Sequence, residues 1–232
     1  FSSTTVMDGK AVFALMSVNG NDDWSAAETT TMGSTWTQNE KVSAAYVYQM
    51  NLNTSFTGDD NLYVRLKAQN GWVNMRSKPG NYHNEAGGGT GTVTVDKIWY
   101  TFPLGERWEA TVGPRIENYY MLAATPSVYK AKLLKAFRFG GHGAAFGAST
   151  SPGAGIKYEG DNGFASSLTI NSHEADTTTG FLTKDDITKV NLMGAYTQDN
   201  YHVSATFTSQ RNGFAAFDYY ATGTLDGNTD DV

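Results

Sequence analysis

The 232-residue chain contains no cysteine. That removes a disulfide framework, a thiol nucleophile and any Cys-based zinc site in one step. Proline is scarce, with five residues, against 25 glycines, 13 tyrosines, 12 phenylalanines and five tryptophans. Much glycine and aromatic residue with little proline suits sheets joined by turns. No apolar run approaches the roughly 18 residues of a membrane-crossing helix; the longest is Ala11 to Met16. Charge is sparse too, at 17% of residues, and the net charge is −6. An acidic balance argues against nucleic acid as a partner.

Catalytic signatures are also missing. The sequence has no HExxH, no P-loop and no GxSxG. Gly87-Gly88-Gly89-Thr90-Gly91 lacks the Lys-Ser/Thr that makes a phosphate loop, so it reads as a plain loop. His83, His142, His173 and His202 are scattered, which gives no metal cluster. Asp59-Asp60 and Asp185-Asp186 sit in turn sequences, where Asp is expected for its local hydrogen bonding. The acidic run Asp226 to Asp231 resembles the start of a calcium loop but lacks its sixth-position Gly and distal Glu, so it reads as a solvated acidic loop. The expectation is a protein that is not an enzyme and uses no cofactor and no metal.

What the chain has is alternation. From Lys41 to Phe56 one set of residues is Val42, Ala44, Tyr46, Tyr48, Met50, Leu52, Thr54 and Phe56. The interleaved set is Lys41, Ser43, Ala45, Val47, Gln49, Asn51, Asn53 and Ser55. A period of two separates the faces of a β-strand. The run exceeds the five or six residues of an average soluble strand and suits the roughly 9–11 of a tilted bilayer-crossing strand. After Thr57-Gly58-Asp59-Asp60 the pattern resumes, with Leu62, Val64, Leu66 and Ala68 against Tyr63, Arg65, Lys67 and Gln69. This is a hairpin with turn residues at its centre.

Seven further strands are predicted. The first spans Thr5 to Val18; the fourth runs from Val93 to Phe102 and the fifth starts at Trp108. A short sixth lies around Ala154 to Glu159, the seventh from Phe164, the eighth from Lys189 and the ninth from Tyr201. A tenth is placed near Phe214 to Tyr220. Long polar loops fall near 19–40, 71–91, 116–152 and 172–188, and they alternate strictly with short turns. Nearly every charge from the second strand to the ninth lies on the polar parity; Asp96 is the exception, expected at a loop end or a bulge. Lys or Arg facing lipid near the bilayer midplane costs about 2–4 kcal/mol, which gives such sorting a cause. Phe56, Phe102, Trp108, Tyr158, Phe164, Tyr196 and Tyr201 bracket the short turns on the apolar parity, as an interfacial girdle does.

These regularities predict an all-β chain: a transmembrane antiparallel up-and-down β-barrel with nine or ten strands in this sequence, apolar face to lipid and polar face to a water-filled interior. The alternative is a soluble secreted β-sandwich or barrel that binds carbohydrate through exposed Tyr and Trp. It also alternates, but its apolar face points inward.

Three segments carry a family resemblance. Met50-Asn51-Leu52-Asn53-Thr54-Ser55-Phe56-Thr57-Gly58-Asp59-Asp60-Asn61-Leu62, Val95-Asp96-Lys97-Ile98-Trp99-Tyr100-Thr101-Phe102-Pro103-Leu104-Gly105 and Gly153-Ala154-Gly155-Ile156-Lys157-Tyr158 resemble the cyanobacterial outer-membrane porins. These are the SomA/SomB-like or iron-uptake porins, related to the OprB carbohydrate-selective porins. The resemblance spans most of Lys41 to Phe207 and rests on strand patterns rather than a catalytic signature. It implies a porin β-barrel in the cell outer membrane of a Gram-negative-type bacterium, passing small hydrophilic solutes and inorganic ions, iron and sugars among them, by passive diffusion. Family barrels have more strands, so residues 1–232 are expected to be the N-terminal portion of a single porin domain. The implied partners are outer-membrane lipid and lipopolysaccharide, with a homotrimer as the common assembly.

In porins a long loop often folds into the lumen. On that analogy Lys130, Lys132, Lys135 and Arg138 of the third long loop, with Arg65, Lys67, Lys97 and Arg115 on the facing wall, are expected to form a constriction; the alternative is an extracellular loop whose basic residues bind lipopolysaccharide or nothing. A ring of Lys and Arg favours anions. A long-looped barrel also suits an adhesin or a phage receptor, and that role is compatible with a pore.

Overall fold

The computed structural model describes residues 4–16, 42–70, 91–124 and 150–212. They hold nine β-strands: β1 (Thr5–Met16), β2 (Ser43–Thr54), β3 (Asn61–Gln69), β4 (Thr94–Pro103), β5 (Trp108–Glu117), β6 (Thr150–Glu159), β7 (Phe164–Ser172), β8 (Thr188–Gln198) and β9 (Tyr201–Gln210). All belong to one sheet in the order β1 to β9, and every neighbouring pair is antiparallel. Each strand is therefore hydrogen-bonded to its neighbour in sequence, the simplest up-and-down arrangement. Among the described residues β1 and β9 each have one neighbour, so the sheet is open at both sides. There is no second sheet among them, as a sandwich requires.

The strands are 9 to 12 residues long. The predicted hairpin is present, with Tyr48 opposite Ala68, Met50 opposite Leu66 and Leu52 opposite Val64. Two strands differ from expectation. β6 is not short but runs from Thr150, and β5 continues to Glu117, so the connection expected over 116–152 is flanked on both sides by paired strand. Glu117 pairs with Thr150 and Ile116 with Ser151. The predicted tenth strand, near Phe214 to Tyr220, lies outside the described residues.

Two irregularities explain the departures from strict alternation. Arg65 pairs with Lys97 and Leu66 with Val95, so Asp96 is an extra residue in β4: a β-bulge where the charge pattern had its one exception. β5 carries a second shift between Gly113 and Ile116, seen from both its neighbours. Gly113 is required there for space, since a Cβ would stand 2.6 Å from the Trp99 Cα.

Short turns close one end of the sheet, at residues 55–60, 104–107, 160–163 and 199–200. Gly58 (φ 106°) and Gly163 (φ 87°) take left-handed conformations in them that other residues rarely adopt. The β2–β3 turn is tied by Asp60. Its Oδ1 accepts from the Phe56 and Thr57 amides and the Ser55 and Thr57 hydroxyls at 2.8–2.9 Å, and its Oδ2 accepts from the Tyr100 hydroxyl at 2.5 Å. The Tyr100 bond first, then those from Thr57 and Ser55, hold this carboxyl far below the usual carboxylate range, against the opposing effect of burial.

The connection at 173–187 has a similar hub at the opposite end. Asp186, fully buried, accepts from the Glu174 amide at 3.0 Å and the Thr188 hydroxyl at 2.8 Å. Burial pushes this carboxyl up, but those bonds, with one from Ser172, hold it below its ordinary range. Arg211 and Asn212, just after β9, bind the carbonyls of Thr183, Lys184 and Asp186 from the other side.

Candidate functional site

The candidate site is a surface, and its character follows from which parity is covered. Consecutive residues decide it. In β8, Asn191 is 0% exposed and Leu192 is 54% exposed; in β7, Thr169 is 1% exposed and Leu168 is 49% exposed. Phe13 and Phe207, on the first and last strands, are 82% and 70% exposed. In β7 and β8 the greasy side is the more exposed and the wet side the more covered. Of Tyr46, Tyr48, Leu52, Val64, Leu66 and Phe207, whose burial together marks a conventional soluble core, none is buried.

The apolar side carries the aromatic residues singled out from the sequence, and they form a band at the short-turn end. Phe56 lies 6.3 Å from Tyr100, and Tyr100 5.4 Å from Phe102, ring centre to ring centre. Trp108 is 5.0 Å from Tyr158, which is 6.3 Å from Phe164. Phe164 is the register partner of Tyr196, and Tyr196 is 6.2 Å from Tyr201. Tyr100 is the member the sequence reading left out. Its hydroxyl bond to Asp60 locks the band to the turn.

The polar side is cross-linked. One row crosses five strands in register: Thr111, Gly155, Thr169, Asn191 and Thr208. Asn191 donates to the Thr169 hydroxyl at 3.2 Å and accepts from the Thr208 hydroxyl at 2.8 Å. Thr111 continues the row to Thr101 at 3.0 Å. Buried polar groups without such partners cost about 1–3 kcal/mol each, so the row stabilises the buried Thr111, Thr169 and Asn191 at its centre.

Gly155 interrupts this row for a steric reason. A Cβ there would stand 2.9 Å from the Met121 Sδ and 3.0 Å from the Met121 Cβ. Met121 ends a single 3-10 turn, Asn118–Met121, that follows β5. The chain then crosses the polar face: the Ala123 amide donates to the Ser167 hydroxyl of β7 at 2.9 Å, and Leu122 packs on Met193 of β8. The root of the third long connection thus lies on the polar side of the sheet. An aromatic stack holds its other flank. Tyr63 stacks on Trp99 at 4.3 Å, Trp99 meets Tyr120 at 5.2 Å, and Trp99, Ile116 and Met121 form a small apolar cluster.

Of the basic residues predicted to line a constriction, Arg65 and Lys97 are brought together as register partners on the polar side. Lys67 is two residues further along the same face and pairs with Thr94. Arg115 departs from the expectation. The β5 bulge sets it opposite Ile98, on the apolar parity, where it is exposed and its Nε donates to the Asp96 carbonyl at 3.3 Å. Lys130, Lys132, Lys135 and Arg138 lie outside the described residues.

The sequence reading missed the carboxylates that accompany these cations. Lys97 Nζ is 2.7 Å from Glu117 Oε2 and 3.7 Å from Asp96 Oδ2, and Arg65 Nη1 is 3.9 Å from the same Asp96 oxygen. Nearer the short turns Lys157 lies 3.0 Å from Glu109 and 3.1 Å from Glu159. Asp96 was visible as the outlier in charge parity; Glu117 was hidden because the pattern gave no sign that β5 extends past Arg115. No group of His, Asp or Glu able to hold a metal occurs among the described residues. No family model matches the chain, and a comparison with curated proteins finds no match.

Proposed function

We propose that this chain forms part of the wall of a transmembrane β-barrel channel, a porin of the bacterial outer membrane, for passive diffusion of small hydrophilic solutes and inorganic ions. One observation carries the reading: in β7 and β8 adjacent residues alternate with the apolar one exposed and the polar one covered, as at Leu168/Thr169 and Leu192/Asn191. Water as the only solvent disfavours this arrangement. An exposed apolar patch beyond a few hundred Å² marks a surface that meets a partner or a membrane. Full burial of a Leu or Phe is worth about 1.5–3 kcal/mol, and hydrocarbon against the outer face provides it along every strand.

Strand length, the band of aromatics at one end and the alternation of short turns with long connections agree with that solvent. An open edge is not tolerated in a bilayer, because its amides and carbonyls stay unpaired. On this reading β1 and β9 are joined by strands beyond the nine described. The polar face then lines the conduit. The chain from Asn118 to Ala124 is seated across β6, β7 and β8 on that same inner side. Transport needs no nucleotide and no covalent chemistry; pore width and wall charge do the sorting.

The test is to extract the full chain from membranes and reconstitute it. The proposal expects that extraction requires detergent and that the purified protein gives discrete conductance steps in a planar lipid bilayer. A protein that stays monomeric in detergent-free buffer and yields no conductance contradicts it.

A further inference from the structure

We infer that Asp96 and Glu117 set the ion selectivity of this wall, cancelling the positive charge of Arg65 and Lys97. The inference rests on the channel reading above. Taken alone, Arg65 and Lys97 are like charges directly opposite each other across β3 and β4, an arrangement that is destabilising by itself and that attracts anions. The extra residue in β4 changes both properties. Asp96 stands beside the pair, with one carboxylate oxygen 3.9 Å from the guanidinium and 3.7 Å from the ammonium. Glu117, the last residue of β5, closes on Lys97 at 2.7 Å, and the Thr150 hydroxyl accepts from the same ammonium at 3.3 Å.

Arg65 has neutral partners as well. Its Nε donates to Asn51 Oδ1 at 2.9 Å, and its guanidinium lies 5.6 Å from the centre of the Tyr63 ring. Asn51 in turn donates to Asp8 of β1 at 2.5 Å. The four charged side chains are 7–27% exposed, so their fields are less screened than those of fully solvated groups. Two cations and two carboxylates sum to zero. The cluster at Lys157, with Glu109 and Glu159, sums to −1. Neither cluster presents net positive charge to a passing ion. The anion preference read from Arg65 and Lys97 alone is therefore abolished at their own cluster.

The experiment is reversal potential across a planar bilayer under a potassium chloride gradient, using the full chain as wild type and as Glu117→Gln, Asp96→Asn, Lys97→Met and the double variant Lys97→Met with Glu117→Gln. Removing either carboxylate is expected to shift the reversal potential toward the chloride equilibrium potential. Lys97→Met is expected to shift it toward that of potassium. The double variant leaves the local sum unchanged and is expected to return close to wild type, which a general loss of structure does not do. It also serves if a single variant fails to fold. Wild-type conductance with the same reversal potential in every folded variant overturns this inference alone. Absence of wild-type conductance overturns the channel reading and this inference with it.

Discussion

Replacing Leu192 by Arg separates a lipid-facing sheet from a water-facing one by energy. Leu192 lies near the middle of β8, on a row with Ile156, Leu168 and Phe207 in register. It is 54% exposed and no described chain covers that side. If the side meets water, the substitution is a surface change, and such changes stay within about 0.5 kcal/mol. If it meets hydrocarbon near the midplane, an Arg there costs about 2–4 kcal/mol. The two environments thus differ by at least about a factor of four in the same measurement. The assay is reversible urea unfolding in lipid vesicles, followed by tryptophan fluorescence. A shift of about 2 kcal/mol or more is expected. A shift within about 0.5 kcal/mol with unaltered m-value refutes the assignment of this face.

Three other outcomes follow from the geometry. Gly155→Val should unseat Met121 by forcing a side chain into its space; an overpacked site costs about 1–3 kcal/mol, and limited proteolysis should show new cleavage at residues 118–124 while the strands stay resistant. Asp60→Ala and Tyr100→Phe should each loosen the 55–60 turn, measured as faster amide exchange at Phe56, Thr57 and Gly58. Because the Asp60 carboxyl is held below its ordinary range by Tyr100 first and Thr57 and Ser55 next, its contribution is complete above the unfolded-state value of about 4 and declines as pH falls below it. A protection factor at these amides, the exchange rate relative to the intrinsic one at each pH, that stays flat on acidification below about 4 contradicts the network. Asp186→Ala should expose the 173–187 connection to protease, since the Glu174 amide and Thr188 hydroxyl lose their acceptor.

The strands were legible because alternation is a local property. Val64 and Arg65, or Leu168 and Thr169, differ in polarity at adjacent positions, and each strand repeats that choice often enough to fix its parity. Turn positions were legible for the same reason: Gly58, Gly105 and Gly163 stand where a left-handed residue is needed. The bulges were not. An inserted residue shifts parity without changing composition, so Arg115 read as a wall residue and Ile116, fully buried, read as loop. Only Asp96 betrayed a bulge, because a charge on the wrong parity has an energetic cost and therefore demands a cause. Partners from distant strands were equally hidden. Nothing local to Gly155 announces Met121, and nothing local to Tyr100 announces Asp60; both contacts exist only once the register is set.

The central claim concerns which side of the sheet meets water, and cysteine scanning along β9 tests it most directly. The chain has no native cysteine, so each introduced thiol is the sole reporter. Val203, Ala205 and Phe207 are exposed on the described surface, whereas Ser204, Thr206 and Thr208 are half-buried. With the protein reconstituted in vesicles, a membrane-impermeant maleimide in aqueous solution on both sides should label Ser204→Cys, Thr206→Cys and Thr208→Cys and spare Val203→Cys, Ala205→Cys and Phe207→Cys. Fast labelling of positions 203, 205 and 207 with protection of 204, 206 and 208 contradicts the account.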